Sequence, residues 1–117
     1  MRKLLLIILI CYSGIGLNAQ TNLDSLWGVW NDKTQADTTR LKAMDNIAWD
    51  GYLFSQPDSA FYFAQMQYDL AEKSGLKKQM SSALNTQGIS FAIRGEYPVA
   101  LDYYQRSLKI SEEIGDK

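Results

Sequence analysis

The chain of 117 residues repeats itself, and that repeat constrains its fold more than any other feature. Displaced by 40 places, Asp58–Lys77 falls on Pro98–Lys117 with five of 20 positions identical: Ala60/Ala100, Gln65/Gln105, Glu72/Glu112, Gly75/Gly115 and Lys77/Lys117. Phe61/Leu101, Phe63/Tyr103, Tyr68/Leu108 and Leu70/Ile110 agree in kind. The same displacement brings Ala43 onto Ala83, Met44 onto Leu84 and Ala48 onto Gly88. A segment that recurs at such a spacing is one supersecondary unit, and its apolar face is covered by its neighbours. The first unit covers about 41–80 and the second 81–117, a little short of its closing position at 120. Residues 20–40 precede both as a cap helix and linker.

Breakers divide the units into helices. Pro57 and Pro98 stand where helices begin, the place where a missing N–H costs nothing. Gly75, Gly95 and Gly115 each follow a helical run, as C-terminal caps do. The spacing predicts a first helix near Asn22–Asp32, with Leu23, Leu26, Trp27 and Trp30 on one side. A second, capped by Thr38 or Thr39, runs to about Phe54 with Leu41, Met44, Ile47 and Ala48 on its inner face. Pro57–Ser74, Leu76–Arg94 and Tyr97–Ile114 form three more. No segment alternates with period two, so no strand is predicted. Short links make successive helices antiparallel neighbours.

The N-terminus has a different character. Arg2-Lys3 precedes the aliphatic run Leu4–Ile10, and Leu17-Asn18-Ala19 offers a cleavage site with a small residue before the cut. That order is that of a secretory signal peptide over residues 1–19, leaving Gln20 as the mature N-terminus. The apolar run from Leu4 to Leu17 is shorter than the roughly 20 residues a membrane helix needs. Export to the periplasm or beyond is the expectation, with an uncleaved anchor as the alternative.

Composition narrows the chemistry. The sequence has no His, and its one Cys, Cys11, lies in the leader. A mature chain without either has no Ser/His triad, thiolate nucleophile, His/Cys zinc site or disulfide. Carboxylates remain, but Asp45 and Asp50 do not share a helix face, and Glu112 and Glu113 point apart. Paired acid–base catalysis needs two carboxylates about 5–9 Å apart across a cleft. No catalytic residue, metal site or cofactor is expected, and the chain is read as a non-enzyme. Asp69/Lys73 and Asp102/Arg106 have the spacing of ion pairs on helix surfaces. The net charge of −1 supplies no basic footprint for nucleic acid, although aromatic residues make up 12% of the chain.

The stretch Ala83–Leu108 resembles a tetratricopeptide repeat. Gly88 matches the small residue of that repeat's first helix and Phe91 the aromatic three places on; Gly95 and Tyr97 fit the turn. Ala100, Tyr104 and the pair Ser107-Leu108 match the second helix. Gln87 departs from the usual leucine, and Glu112 stands where proline is common, which lengthens the second helix. The first unit is more degenerate: Ala48 and Ala60 keep the small sites, but Gly51 falls at the aromatic site with Tyr52 beside it, and Ala64 and Gln67 replace the aromatic and small residues of its second helix.

The resemblance implies an all-α, right-handed solenoid of antiparallel helix pairs in 40-residue units. It also implies a scaffold that binds a protein or peptide segment along a concave groove lined by first helices. At matching positions that face holds Lys42, Asp45, Trp49, Tyr52 and Leu53 from the first unit, and Ser82, Asn85, Ile89, Ala92 and Ile93 from the second. Asn85 leads the set, because an amide offers a peptide backbone donor and acceptor together. The other reading of Trp49 and Ile89 is packing between units. Exported arrays of this kind often precede a membrane helix and a histidine-kinase or nucleotide-cyclase domain, so the sensor portion of a signalling protein is the companion expectation. The last helix pair should leave apolar surface uncovered at Ile93, Leu101, Tyr104 and Leu108, a route to self-association.

Overall fold

A computed structural model describes residues 22–115. The leader, its cleavage site and the final Asp116-Lys117 lie outside the described residues. Helix α1 covers 22–31. Helix α2 is Asp37–Asn46 and continues into a π-helical segment, Ile47–Leu53. Helices α3 (Pro57–Ser74), α4 (Lys77–Ile93) and α5 (Tyr97–Glu113) follow. Among the described residues there is no strand, and the class is all-α.

Helices α2, α3, α4 and α5 begin at Asp37, Pro57, Lys77 and Tyr97, so the two helix pairs start 40 residues apart. Pro57 opens α3 and Pro98 sits in the first turn of α5. Gly75, Gly95 and Gly115 end helical runs with φ of 69°, 79° and 71°. These are left-handed values that a Cβ disfavours. The second helix begins earlier than its sequence cap suggested: Ala36 is the N-cap of α2, without a side-chain hydrogen bond, and Thr38 and Thr39 lie inside the first turn. Asp37 supplies the negative charge favoured at that end.

Cross-contacts fix the directions. From α3 to α4, Gln67 meets Gln79, Gln65 meets Gln87, and Phe61 meets Phe91. From α4 to α5, Lys77 meets Glu113, Ser81 meets Ser107 and Gly88 meets Tyr104. Both pairs are therefore antiparallel. Between α2 and α4, Asp45 meets Ser82, and Trp49, in the π segment that continues α2, meets Thr86; each step is 37 residues, so these two run parallel, side by side. Helix α1 lies antiparallel to α2, with Arg40 Nε donating to the Trp30 carbonyl at 2.9 Å and Leu23 beside Gly51.

The main core gathers Trp30, Leu41, Met44, Ile47 and Ala71, with Leu23, Leu26 and Trp27 of α1 packed against it. A second cluster holds Ala48, Leu53 and Ala60 under Trp49, Tyr52, Phe63 and Ile89. Small residues set the closest approach. A Cβ on Gly88 would lie 2.6 Å from the Tyr104 ring and 3.2 Å from the Ala100 carbonyl oxygen, so α4 and α5 touch there as the sequence register requires. Below Gly88 the same interface is polar. Ser81 and Ser107 hydroxyls meet at 2.8 Å, each donates to the other's carbonyl, and Ser111 joins at 2.8 Å from Ser81. The buried Ser81 and Ser107 hydroxyls stay because each finds a partner.

The surface charges take other partners than the spacing suggested. Gln65, not Lys73, bonds Asp69, at 2.9 Å. The Arg106 guanidinium lies over the Tyr103 ring, 4.9 Å from its centroid, instead of pairing with Asp102. Arg94 joins the turn to α3, bonded to Asp58 and stacked over Phe91.

Candidate peptide groove

Where the groove is expected, α2 with its π segment and α4 lie parallel. The Ser82 hydroxyl donates to Asp45 Oδ1 at 3.3 Å, and the Trp49 indole N–H donates to Thr86 Oγ1 at 2.9 Å. Thr86 passes its own proton to the Ser82 carbonyl at 3.1 Å, closing a polar chain along α4. These bonds hold Asp45, Trp49 and Ser82 on one strip. Asn85 stands exposed one turn beyond Ser82, and Ile89 is half-buried one turn further on, against the cluster of Ala48, Leu53 and Ala60. Ile93 ends the strip, 41% exposed.

Not every expected groove residue joins it. Leu53 is fully buried and presents nothing to a ligand. Tyr52 turns its ring onto Phe63, 4.9 Å between centroids, and belongs to the core. Lys42 is exposed but lines a different hollow of about 410 Å³ between α1 and α2, with Leu26, Val29 and Asn46. Ala92 is half-buried. Trp49 and Ile89 both contribute to packing between the units while keeping part of their surface open.

Sequence reasoning missed a pocket next to Asn85. Lys78, Ser81, Ser82, Asn85, Ser107 and Ser111 surround a shallow cleft of about 310 Å³ where α4 meets α5. Its floor is the serine cluster. The signal was present as Ser81-Ser82 against Ser107 and Ser111, but only the antiparallel register of α4 and α5 brings them together. The cleft offers a cation, an amide and hydroxyls within one patch, the inventory that holds a peptide backbone or a carboxylate.

Burial pushes the Asp45 carboxyl above its usual range; hydrogen bonds from Ser82 and Gln67 and the charge of Lys42 pull it back, while Asp50 adds to the rise. Gln67 is itself fully buried, and its Oε1 has no partner among the described residues. Asp45 therefore sits at a junction of α2, α3 and α4 that is only partly satisfied as a carboxylate.

Compared with known proteins, the chain matches no protein-family model, no curated protein and no solved structure. No helix among the described residues is long and apolar enough to cross a membrane.

Proposed function

We propose that the chain is a tetratricopeptide-like binding scaffold that works outside the cytoplasm and takes a peptide or protein segment along the strip formed by α2, the π segment and α4. The observation that carries this reading is the parallel pairing of first helices, Asp45 to Ser82 and Trp49 to Thr86. Parallel first helices bring side chains of two units to one continuous surface. Antiparallel pairing alone would alternate them with second helices. The right-handed solenoid belongs to the same proposal and follows from the resemblance; the close contact at Gly88 and the aromatic pairs of both units support the pairing of helices within each unit. The leader's order of charge, apolar run and small-residue site supports export. A role as the sensor portion of a signalling protein follows from the same resemblance.

The binding residues under this reading are Asp45, Trp49, Ser82, Asn85, Ile89 and Ile93, extended by Lys78 of the serine cleft. Selection of binders from a random peptide library against the full chain tests it. Asn85→Ala and Ile89→Glu should each weaken the selected peptides by about tenfold or more, which corresponds to about 1.4 kcal/mol. Lys109→Ala, on the exposed side of α5, should leave them unchanged. Binders that ignore Asn85 and Ile89 would sink the groove.

A further inference from the structure

Along the strip between α2 and α4 the chemistry passes from acidic to apolar at the π segment. Asp45 opens it, half-buried, accepting from the Ser82 hydroxyl at 3.3 Å. Gln67 reaches Asp45 from α3; it is fully buried, shares its Nε2 with Gln79 Oε1 at 3.1 Å, and its Oε1 has no partner. None of the ion pairs among the described residues includes Asp45 or Asp50. Lys42, one turn earlier on α2, lines the hollow against α1. The π segment adds a second charge. Its turns close i to i+5, so exposed Asp50 swings toward Asp45 from the place a regular helix would give it, and its charge is felt there. Past Asp45 the surface turns apolar. Trp49 is fixed by its bond to Thr86, and Phe54, 73% exposed, sets its ring edge-on to Trp49 at 6.1 Å. Ile89 of α4 faces the same cluster.

We propose, on the reading of this strip as a peptide groove, that the segment it takes is basic and then apolar: an arginine or lysine side chain seats on Asp45 beside Trp49 and Ser82, and a bulky apolar side chain nearby seats on Trp49, Phe54 and Ile89. The junction holds more acceptors than donors and two carboxylates without a cation, so a basic side chain supplies what the fold withholds. An acidic one meets like charge. Arginine fits best, because a planar guanidinium bonds a carboxylate and also lies over an indole face. The spacing follows from helix rise. At about 1.5 Å per residue, Trp49 is roughly 6 Å and Phe54 roughly 13 Å beyond Asp45, which an extended peptide covers in about two and four residues.

The test presents a positional-scanning library of octapeptides, one position fixed and the rest an equal mixture, to the immobilised full chain. Arginine and lysine should be enriched over glutamate about tenfold at one position, the scale of a charge-assisted hydrogen bond. Bulky apolar residues should be enriched about two to four positions away. Asp45→Asn should remove the basic preference and keep the apolar one, and Asp45→Lys should turn the preference to glutamate. Phe54→Ala should weaken the apolar preference alone. Asp50→Asn, at an exposed site, should reduce the basic preference and keeps the test open if the Asp45 variants fail to fold. Peptides that need Asn85 and Ile89 but show no basic preference, or one that survives the Asp45 and Asp50 variants, overturn this proposal and leave the groove standing. A basic preference spread evenly over all positions reports only the net charge and overturns it too. Peptides indifferent to Asn85 and Ile89 overturn the groove, and this proposal with it.

Discussion

The two helix pairs share a 40-residue spacing and have different interiors. In the second unit α4 is α-helical throughout, and its turn to α5 closes on Gly95 in the left-handed region, with the Glu96 N–H reaching back five residues to the Phe91 carbonyl at 2.9 Å. In the first unit the corresponding turn has Ser55 in place of glycine. The Gln56 N–H reaches back only four residues, to the Tyr52 carbonyl at 2.6 Å. The turn has lost one residue, and the helix before it has gained one as a π segment over Ile47–Leu53. A π turn closes i to i+5, so later side chains arrive one position late. Tyr52 rather than Gly51 therefore takes the place of Phe91. Tyr52 faces Phe63 at 4.9 Å as Phe91 faces Tyr103 at 5.4 Å. The degenerate unit keeps an aromatic contact at the matching place, tilted at 58° rather than stacked at 27°, by two compensating one-residue changes.

The largest effect should come where the units differ in helix contact. Gly88→Leu should unfold the chain or lower its stability by about 3 kcal/mol, the upper end of overpacking costs, because a backbone oxygen as well as the Tyr104 ring blocks the new side chain. Gly51 is the control. A Cβ there meets only the flexible tip of Leu23 at 3.1 Å, so Gly51→Ala should be neutral or gain up to about 1 kcal/mol in helix propensity. Denaturant midpoints of the two variants, beside exposed Lys109→Ala, would break the comparison if they moved alike.

Next in size is the bond that ties the units together. Trp49→Phe removes the indole donor to buried Thr86 and should cost about 1 kcal/mol, the ordinary net value of a hydrogen bond. Thr86→Val added to the Trp49→Phe variant should then cost little more, because the partner is already gone. A full second penalty would show that Trp49 and Thr86 act separately.

Smallest is a pH effect. Asp45 has its folded-state pKa raised, chiefly by burial. A raised carboxylate pKa favours the folded state below the unfolded value, and that contribution is lost as pH rises through the folded one. From about pH 4 up to pH 7, the chain should therefore lose stability relative to Asp45→Asn. Paired melts across that range would show a constant gap if Asp45 were fully solvated.

Local chemistry made most of the fold legible. Leu23, Leu26, Trp27 and Trp30 placed α1 to within a residue or so of its end, and Leu41, Met44, Ile47 and Ala48 were the buried side of the second helix. Gly75, Gly95 and Gly115 marked left-handed ends, since few other residues take that conformation at little cost. The π segment was hidden because Gly51-Tyr52 read as a worn aromatic site, when it records one inserted residue. That insertion carries Tyr52 and Leu53 inward, which is why both left the groove. Thr38 and Thr39 looked like caps, but the helix starts earlier at Asp37. The serine cleft depends on pairing between α4 and α5, which single-helix patterns do not encode.

The equivalence of Tyr52 with Phe91 is the centre of this account, and double-mutant cycles measure it most directly. Tyr52/Phe63 and Phe91/Tyr103 should each show a coupling of about 0.5–1.5 kcal/mol, the range for aromatic pairs in contact, and the two should agree within error. A Tyr52/Phe63 coupling near zero beside a full Phe91/Tyr103 coupling would contradict the account, because the first unit would then lack the aromatic contact that the π turn restores.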